Sequence, residues 1–563
     1  MNVEDFGDLT EAERGLIAHL RHGWPGVFCA SDGVPPEYAM YNRHIRASLI
    51  RALVLGKTAN CPLPEQGLRI WGAFIRSDGT EACETRGLDL EGVMLKHDLA
   101  LFGCRFPDPL LLRNAHVANL YLNHSVLASG LNADGLKAKG CVFLRNARAE
   151  GEIRLPGTWI GGDLSCSGMK LTEADTAISA DGMVVQGCVF LRNVHTEGEI
   201  RLLGGRFGGS LDCSGMVLIK ANEALSADGL AVKSCVLLRD IETAGEIRLP
   251  GVHINGDLDC EGAKLLEAGV ALNCDGANIG GTWFWRAGAK SDGIIDMTGA
   301  RIGAIDDDPA CWPEQILLNR CRYGALVGTG VSGSVRRDWL HRSRQDDSAC
   351  FWSQPYEECA RVLRVAGLNA DAREILIDKE RQQRRARHHR LGREFTAAGQ
   401  LSQRVAIGLQ RWLLWIWDRI IGLTVAYGRR PYQVLVPMLL LLVFGAITFA
   451  EAADRGEIRP NQPGIQRATE WVNCATAPQR QLDCFLAQPE AQSYPQFNAL
   501  IYSADTLIPA ISLEMQSYWI PDDRKPFGRT ARVYLWIHIV LGWGLALLAI
   551  AGFAGLVRTD SKS

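Results

Sequence analysis

The sequence predicts a mainly β fold, a three-sided β-solenoid (β-helix) with helical caps, followed by an α-helical linker and two transmembrane helices. Three observations carry this reading. GEIRL stands at 151–155, 198–202 and 245–249, and Asp-Gly pairs begin at Asp134, Asp181, Asp228 and Asp275, both with a period of 47 residues. Within that period, apolar pairs two residues apart return in steps of 21 to 25, the spacing of short strands with one buried face. Near the C-terminus stand two long apolar runs, 434–450 and 533–557.

The bulk properties agree. At 563 residues the chain exceeds one hydrophobic core, since single cores stop growing at roughly 250–300 residues. Its 59 Gly exceed the usual share, which is about 7%, so tight turns are frequent. A net charge of −3 offers no overall basic field for nucleic acid.

Residues 1–64 are expected to form a helical N-terminal cap, with helical apolar spacing over 38–55. The first twenty residues carry acidic residues before the first basic one and no apolar core, so they do not read as a signal peptide, and the N-terminus is expected in the cytoplasm.

Residues 65–333 form the solenoid. The pair Val142/Leu144 returns as Leu164/Cys166, Val189/Leu191, Leu211/Cys213, Val236/Leu238, Leu258/Cys260 and Trp283/Trp285, and extends upstream to Leu120/Leu122 and Leu99/Leu101. A second column runs from Ile153/Leu155 to Leu272/Cys274, and a weaker third includes Leu136 and Ile160. Three strands per coil at about 4.8 Å spacing, over about eleven coils, give a rod of roughly 50 Å. Such a rod needs a cap at each end, because unpaired strand edges invite aggregation.

Residues 334–430 supply the C-terminal cap (helical spacing over 356–380), a basic linker and a helix in the membrane interface. The run 379–393 places Arg384, Arg385, Arg387, Arg390 and Arg393 toward anionic lipid or, alternatively, on a solvated helix face. Trp412, Trp415 and Trp417, with Arg411 and Arg419, fit an interfacial helix or a buried amphipathic one.

Transmembrane helices are expected at 431–452 and 532–557, joined by an extracytoplasmic loop at 453–531 and followed by a cytoplasmic tail at 558–563. The basic residues before the first span put that side in the cytoplasm. The loop is then the place where a Cys474–Cys484 disulfide is allowed, and nearly all other cysteines read as free thiols.

Within the loop, 497–519 is apolar in part and has the position of a re-entrant segment. ALIYSADTL at 499–507 resembles the pore helix of two-span cation channels, with Ser503 and Thr506 at matching places. The chain continues Ile508-Pro509-Ala510-Ile511-Ser512-Leu513 where such channels carry a carbonyl-lined filter, so potassium selectivity is not supported. Asp505 or Glu514 would form a carboxylate ring in a homo-oligomer; the alternative is an amphipathic segment packed on the membrane face.

GEIRLPG, GGDLSCSG, QPYEECARVLRVAG and YGRRPY together resemble bacterial pentapeptide-repeat-like membrane proteins, some of them labelled membrane-associated oxidoreductases. The resemblance runs from about residue 38 to 557, although the coils here are longer than true pentapeptide coils. It implies a solenoid on a two-helix anchor in the bacterial cytoplasmic (inner) membrane, with both termini cytoplasmic.

Little points to catalysis. Gly328, Gly330 and Gly333 make a literal GxGxxG with Asp346 beyond it, but the polar stretch that follows lacks the second strand of a dinucleotide fold. Cys166, Cys213 and Cys260 take inward places that Leu fills in alternate coils, and no CxxC is present. Asp134, Asp181 and Asp228 recur as turn residues, while Glu152/Arg154, Glu199/Arg201 and Glu246/Arg248 alternate with inward residues as a solvent-facing charge ladder. HExxH, GxSxG and Walker patterns are absent. No cofactor or metal is expected.

Three functions stay open. The first is a non-enzymatic, membrane-tethered scaffold or sensor that binds membrane lipids and a cytoplasmic protein partner on its solenoid face. The second is an oligomeric two-span, ion-channel-like or membrane-perturbing effector. The third is a membrane-associated oxidoreductase.

Overall fold

A computed structural model describes residues 6–28, 34–36, 40–58, 60–77, 87–173, 175–219, 222–343 and 351–554. The chain divides into two compact units, Met1–Ile375 and Leu376–Ser563.

The first unit is a parallel β-solenoid of about eleven coils, built from one 20-stranded and two 11-stranded sheets. Like stacks on like: Leu120 pairs with Val142, Val142 with Leu164 and Leu164 with Val189, all fully or almost fully buried. Of the three columns expected, the first and the third, which includes Ile160, both lie in the largest sheet and the second forms one of the smaller sheets, so each regular coil carries four short strands rather than three. In one coil these are Leu120–Tyr121, Val126–Leu127, Leu131–Asn132 and Lys137–Ala138, and the first and last both belong to the largest sheet.

The strand column that hydrophobic spacing did not separate passes through Ala149, Leu171, Thr196, Leu218, Thr243 and Leu265, all buried. Thr interrupts its apolar signal in alternate coils. Both hydroxyls are satisfied locally: Thr196 donates to the Gly198 carbonyl at 3.0 Å and Thr243 to that of Gly245 at 2.9 Å, so a polar group is tolerated inside.

The charge ladder staples coil to coil. Arg154, Arg201 and Arg248 reach the Asp of the Asp-Gly turn twenty residues earlier, at 3.0, 2.8 and 2.8 Å from Asp134, Asp181 and Asp228. The glycine after each aspartate has φ between 65° and 67°, a conformation that penalises any Cβ.

At the N-terminal end the single helix expected over 38–55 is not formed. Residues 37–39 lie outside the described residues, and the segment is divided into helices Met40–Arg43 and Ala47–Val54 by the strand His44–Arg46. That strand pairs with Phe74–Arg76 and so occupies an edge that would otherwise be open. A preceding helix, Glu11–Arg21, begins with a capping box at Thr10 and Glu13. The fully buried Glu13 carboxylate takes 2.8 Å hydrogen bonds from both Nε and Nη2 of Arg46.

The C-terminal end is closed by Gly333–His341 and Gln354–Val365. Among the described residues the last strand, Arg322–Val327, has no further coil to pair with, and helix Gln354–Val365 meets its backbone instead. Glu358 accepts from the Tyr323 N–H at 3.1 Å, and Arg361 donates to the Tyr323 carbonyl at 2.6 Å.

The second unit contains helices long and apolar enough to cross a membrane, Tyr432–Asp454 and Pro526–Phe553. The second starts six residues before the expected boundary, with Pro526 at its first turn where the missing N–H costs nothing; the tail 558–563 lies outside the described residues. The intervening loop is folded. Ile458–Pro460 pairs antiparallel with Trp519–Pro521, and Cys474 is disulfide-bonded to Cys484.

Candidate functional site

Residues of chemical interest gather at three places, two in the membrane-type unit and one on the solenoid. The first is a polar junction between the apolar helices. Helix Ala499–Leu507, capped by the Asn498 side chain, packs against both of them. Glycines make room for it. A Cβ on Gly542 would strike the Leu507 carbonyl, and one on Gly445 would strike the Ser503 hydroxyl and the His538 ring. Small residues at a helix interface allow this close approach in an apolar setting.

His538 is fully buried in the junction. Its Nε2 lies 3.2 Å from the Ser503 carbonyl and 3.3 Å from the Ser503 hydroxyl, and its Nδ1 lies 3.0 Å from the Tyr534 hydroxyl. A carbonyl only accepts, so a neutral ring carries its proton on Nε2, and Nδ1 accepts from Tyr534. Ser503 in turn donates to the Leu442 carbonyl at 2.9 Å. His538 is an ionisable residue inside the second apolar run, but no local pattern shows that Ser503 meets it, because 35 residues separate them.

Asp505 and Thr506 of the pore-like segment have structural partners. Asp505 accepts from the backbone N–H groups of Leu513 and Gln516, each at 2.7 Å, which folds the segment after the helix back on itself. Thr506 is buried and donates to the Tyr502 carbonyl at 2.9 Å. Glu514 is exposed and has a φ of 63°.

The second place is a helical pair, Asn369–Ala397 with Leu401–Thr424. Arg384 is bound to Asp418 at 3.0 Å and to Glu380 at 2.6 Å, and its guanidinium lies over the Tyr427 ring. Its charge is therefore neutralised inside the protein, whereas Arg385, Arg387, Arg390 and Arg393 are exposed. Trp412, Trp415 and Trp417 are each more than half exposed, so the alternative of a buried amphipathic helix does not hold for them. The end of this helix packs on the apolar pair, with Ile421 and Val425 clustered with Val434 and Leu545.

The third place is an aromatic ladder on the solenoid. Outward side chains of successive coils stack as Trp71, Phe102, Tyr121 and Phe143, with ring centroids 4.6, 5.6 and 5.3 Å apart. Arg145 lies over the last ring at 4.6 Å. The apolar columns of the sequence trace only the inward residues of these strands, so the outward ladder has no counterpart in them.

The three glycines of the GxGxxG have packing roles. Gly328 ends the last strand with a φ of 87°, Gly330 sits against Pro309, and the Gly333 N–H donates to Asp371 at 2.7 Å. The Asp371 carboxylate thus holds the helix N-terminus where a dinucleotide phosphate would bind; Asp346 lies outside the described residues.

The inward cysteines are apolar fillers. Burial pushes the thiols of Cys104 and Cys166 up to about 12. Among the described residues no group of three His, Cys, Asp or Glu side chains is placed to hold a metal. Comparison with known protein families, with curated proteins and with solved structures finds no match to this chain.

Proposed function

We propose that this chain is a non-enzymatic, membrane-tethered scaffold or sensor, in which two transmembrane helices anchor a cytoplasmic solenoid that presents an outward face to a protein partner. One observation carries the tether. The apolar helices bury small residues such as Gly445, Ala452 and Ala531 while leaving Leu439, Leu440, Phe444, Trp536, Val540 and Leu547 uncovered. That inside-out distribution suits a lipid solvent and is unfavourable in water. The exposed arginines before the first span orient it with the solenoid in the cytoplasm, by the positive-inside rule. In this reading the host membrane is the bacterial inner membrane.

The aromatic ladder is the docking face. Stacked rings bury large area at low conformational cost, which is why aromatic residues are enriched in interfaces. The test is membrane fractionation combined with a photo-crosslinking residue at Tyr121 or, as a control on another face, at Arg201. Retention of the chain through alkaline carbonate washing and a specific adduct from position 121 alone are expected; release by carbonate would remove the tether.

A second reading, an oligomeric channel-like assembly, draws support from the polar junction, since an ionisable side chain among apolar helices marks a pathway or relay more often than a packing site. Native mass spectrometry separates the two: a closed multimer favours the channel, a monomer the tether.

A further inference from the structure

We propose that the cleft between helices Asn369–Ala397 and Leu401–Thr424 binds the phosphate of an anionic phospholipid headgroup, with Arg385 and Arg411 as the recognising pair. The proposal deepens the membrane-tethered reading and rests on it.

The cleft encloses about 460 Å³ and is lined by Arg385, His388, His389, Arg411, Trp412 and Trp415. Charge is distributed unevenly around it. His388 is 3.0 Å from Asp418, Arg384 is shared between Asp418 and Glu380, and Arg390 is bound to Glu394 at 3.1 Å. Among the described residues Arg385 and Arg411 have no ion-pair partner, so two uncompensated positive charges line the cleft. Arg411 approaches the neighbouring helix at Gly392, where an added Cβ would stand 3.6 Å from its guanidinium. Guanidinium groups lining one cleft present the forked N–H donors that phosphate oxygens accept.

Two further features select a lipid over a soluble phosphoester. The helix that contributes Arg411 bears an exposed apolar stripe, Leu401, Val405, Leu409, Leu413, Ile420 and Leu423, at helical spacing. A small phosphoester would leave that stripe bare, whereas a bilayer interface covers it. The position also fits. Ile421 packs beside Val434, at the start of the first apolar helix, and Leu545, in the last third of the second, and the ten residues back to Arg411 amount to roughly 15 Å of helix. Trp412 and Trp415 then lie at headgroup level, where tryptophan concentrates.

The test uses the full chain reconstituted in nanodiscs of phosphatidylcholine doped with phosphatidylglycerol, with lipids retained on release counted by native mass spectrometry. The wild type is expected to retain phosphatidylglycerol selectively. The exposed double variant Arg385→Gln/Arg411→Gln should bind it roughly 10- to 30-fold more weakly, the scale of losing two interfacial charges, while Arg390→Gln retains it. Equal retention by the wild type and the double variant overturns the proposal, as does displacement of phosphatidylglycerol by glycerol phosphate at matching affinity, which would assign the cleft to a soluble ligand. Failure of every variant to enter nanodiscs of either composition would overturn the membrane reading itself, and is thereby distinguished from failure of the headgroup site alone.

Discussion

Arg336 holds Asp307 through hydrogen bonds of 2.9 and 2.5 Å with both side chains out of contact with solvent, and this pair sits under the C-terminal end of the solenoid. The Trp312 indole N–H donates to the same carboxylate at 2.8 Å, and the guanidinium lies 5.1 Å from the Trp339 ring. Removing one partner strands a buried charge. Arg336→Leu is expected to destabilise the solenoid by about 3–5 kcal/mol, and Arg336→Leu/Asp307→Leu to recover much of that loss. Chemical denaturation followed by far-UV circular dichroism reads both; additivity of the two single losses would mean the pair is not coupled.

The opposite cap makes a pH prediction. Burial alone would raise the Glu13 pKa, but its hydrogen bonds from Arg46 and Thr10 and the Arg46 charge more than offset this and leave it lowered. A lowered folded-state value means that the stabilisation is fully present above the unfolded carboxyl range, about 4.3, and is lost as pH falls through the folded value. Amide protection over Glu11–Arg21, relative to the intrinsic exchange rate at each pH, should therefore fall as the pH drops below about 4. In Glu13→Gln that acid-dependent step should be absent, with faster exchange already at neutral pH.

Thiol chemistry distinguishes the two units. Cys104, Cys166, Cys213, Cys260 and Cys274 are buried, and desolvation raises every one of these thiols. The thiolate is the reactive form. Maleimide should leave all five unmodified in the native protein and label them after unfolding, while Cys474 and Cys484 should label only after reduction. Rapid native labelling at Cys213 would indicate that the coils open locally.

How far the sequence carried depended on whether a pattern was local. The coil period was legible because Val142, Leu164, Val189 and Leu211 must stack in register, and stacking demands like residues at fixed steps. The second strand of each coil was not, because Thr196 and Thr243 satisfy their hydroxyls through a contact two residues away and so break the apolar signal without breaking the fold. The polar junction was half legible. Ser503 and His538 each stood out, but what joins them is the room made by Gly445 and Gly542, and nothing in the spacing of those glycines announces it.

The glycines make the junction testable. A Cβ at position 542 would meet the Leu507 carbonyl, which is backbone and cannot swing away. Gly542→Ala should push helix Ala499–Leu507 from its seat at a cost of about 1–3 kcal/mol, lowering the melting temperature in detergent. Gly544→Ala, where an added methyl meets nothing within 4 Å, is the control on the same helix. Equal melting temperatures for the two variants would mean that the helix is not held there.

Tyr502 offers the sharpest discrimination between tether and channel. Its ring packs edge-on against Phe449 at 4.8 Å, yet among the described residues its buried hydroxyl has no hydrogen-bond partner. An unsatisfied buried hydroxyl costs about 1–3 kcal/mol. If the chain acts alone, Tyr502→Phe keeps the packing, deletes the unpaired group and should raise the melting temperature in detergent. If the hydroxyl is satisfied by a neighbouring copy, the same substitution removes an intersubunit hydrogen bond, and both the melting temperature and the multimer population should fall. The two readings therefore predict opposite signs for the loss of one oxygen atom, and the measurement requires no knowledge of what the protein binds or conducts.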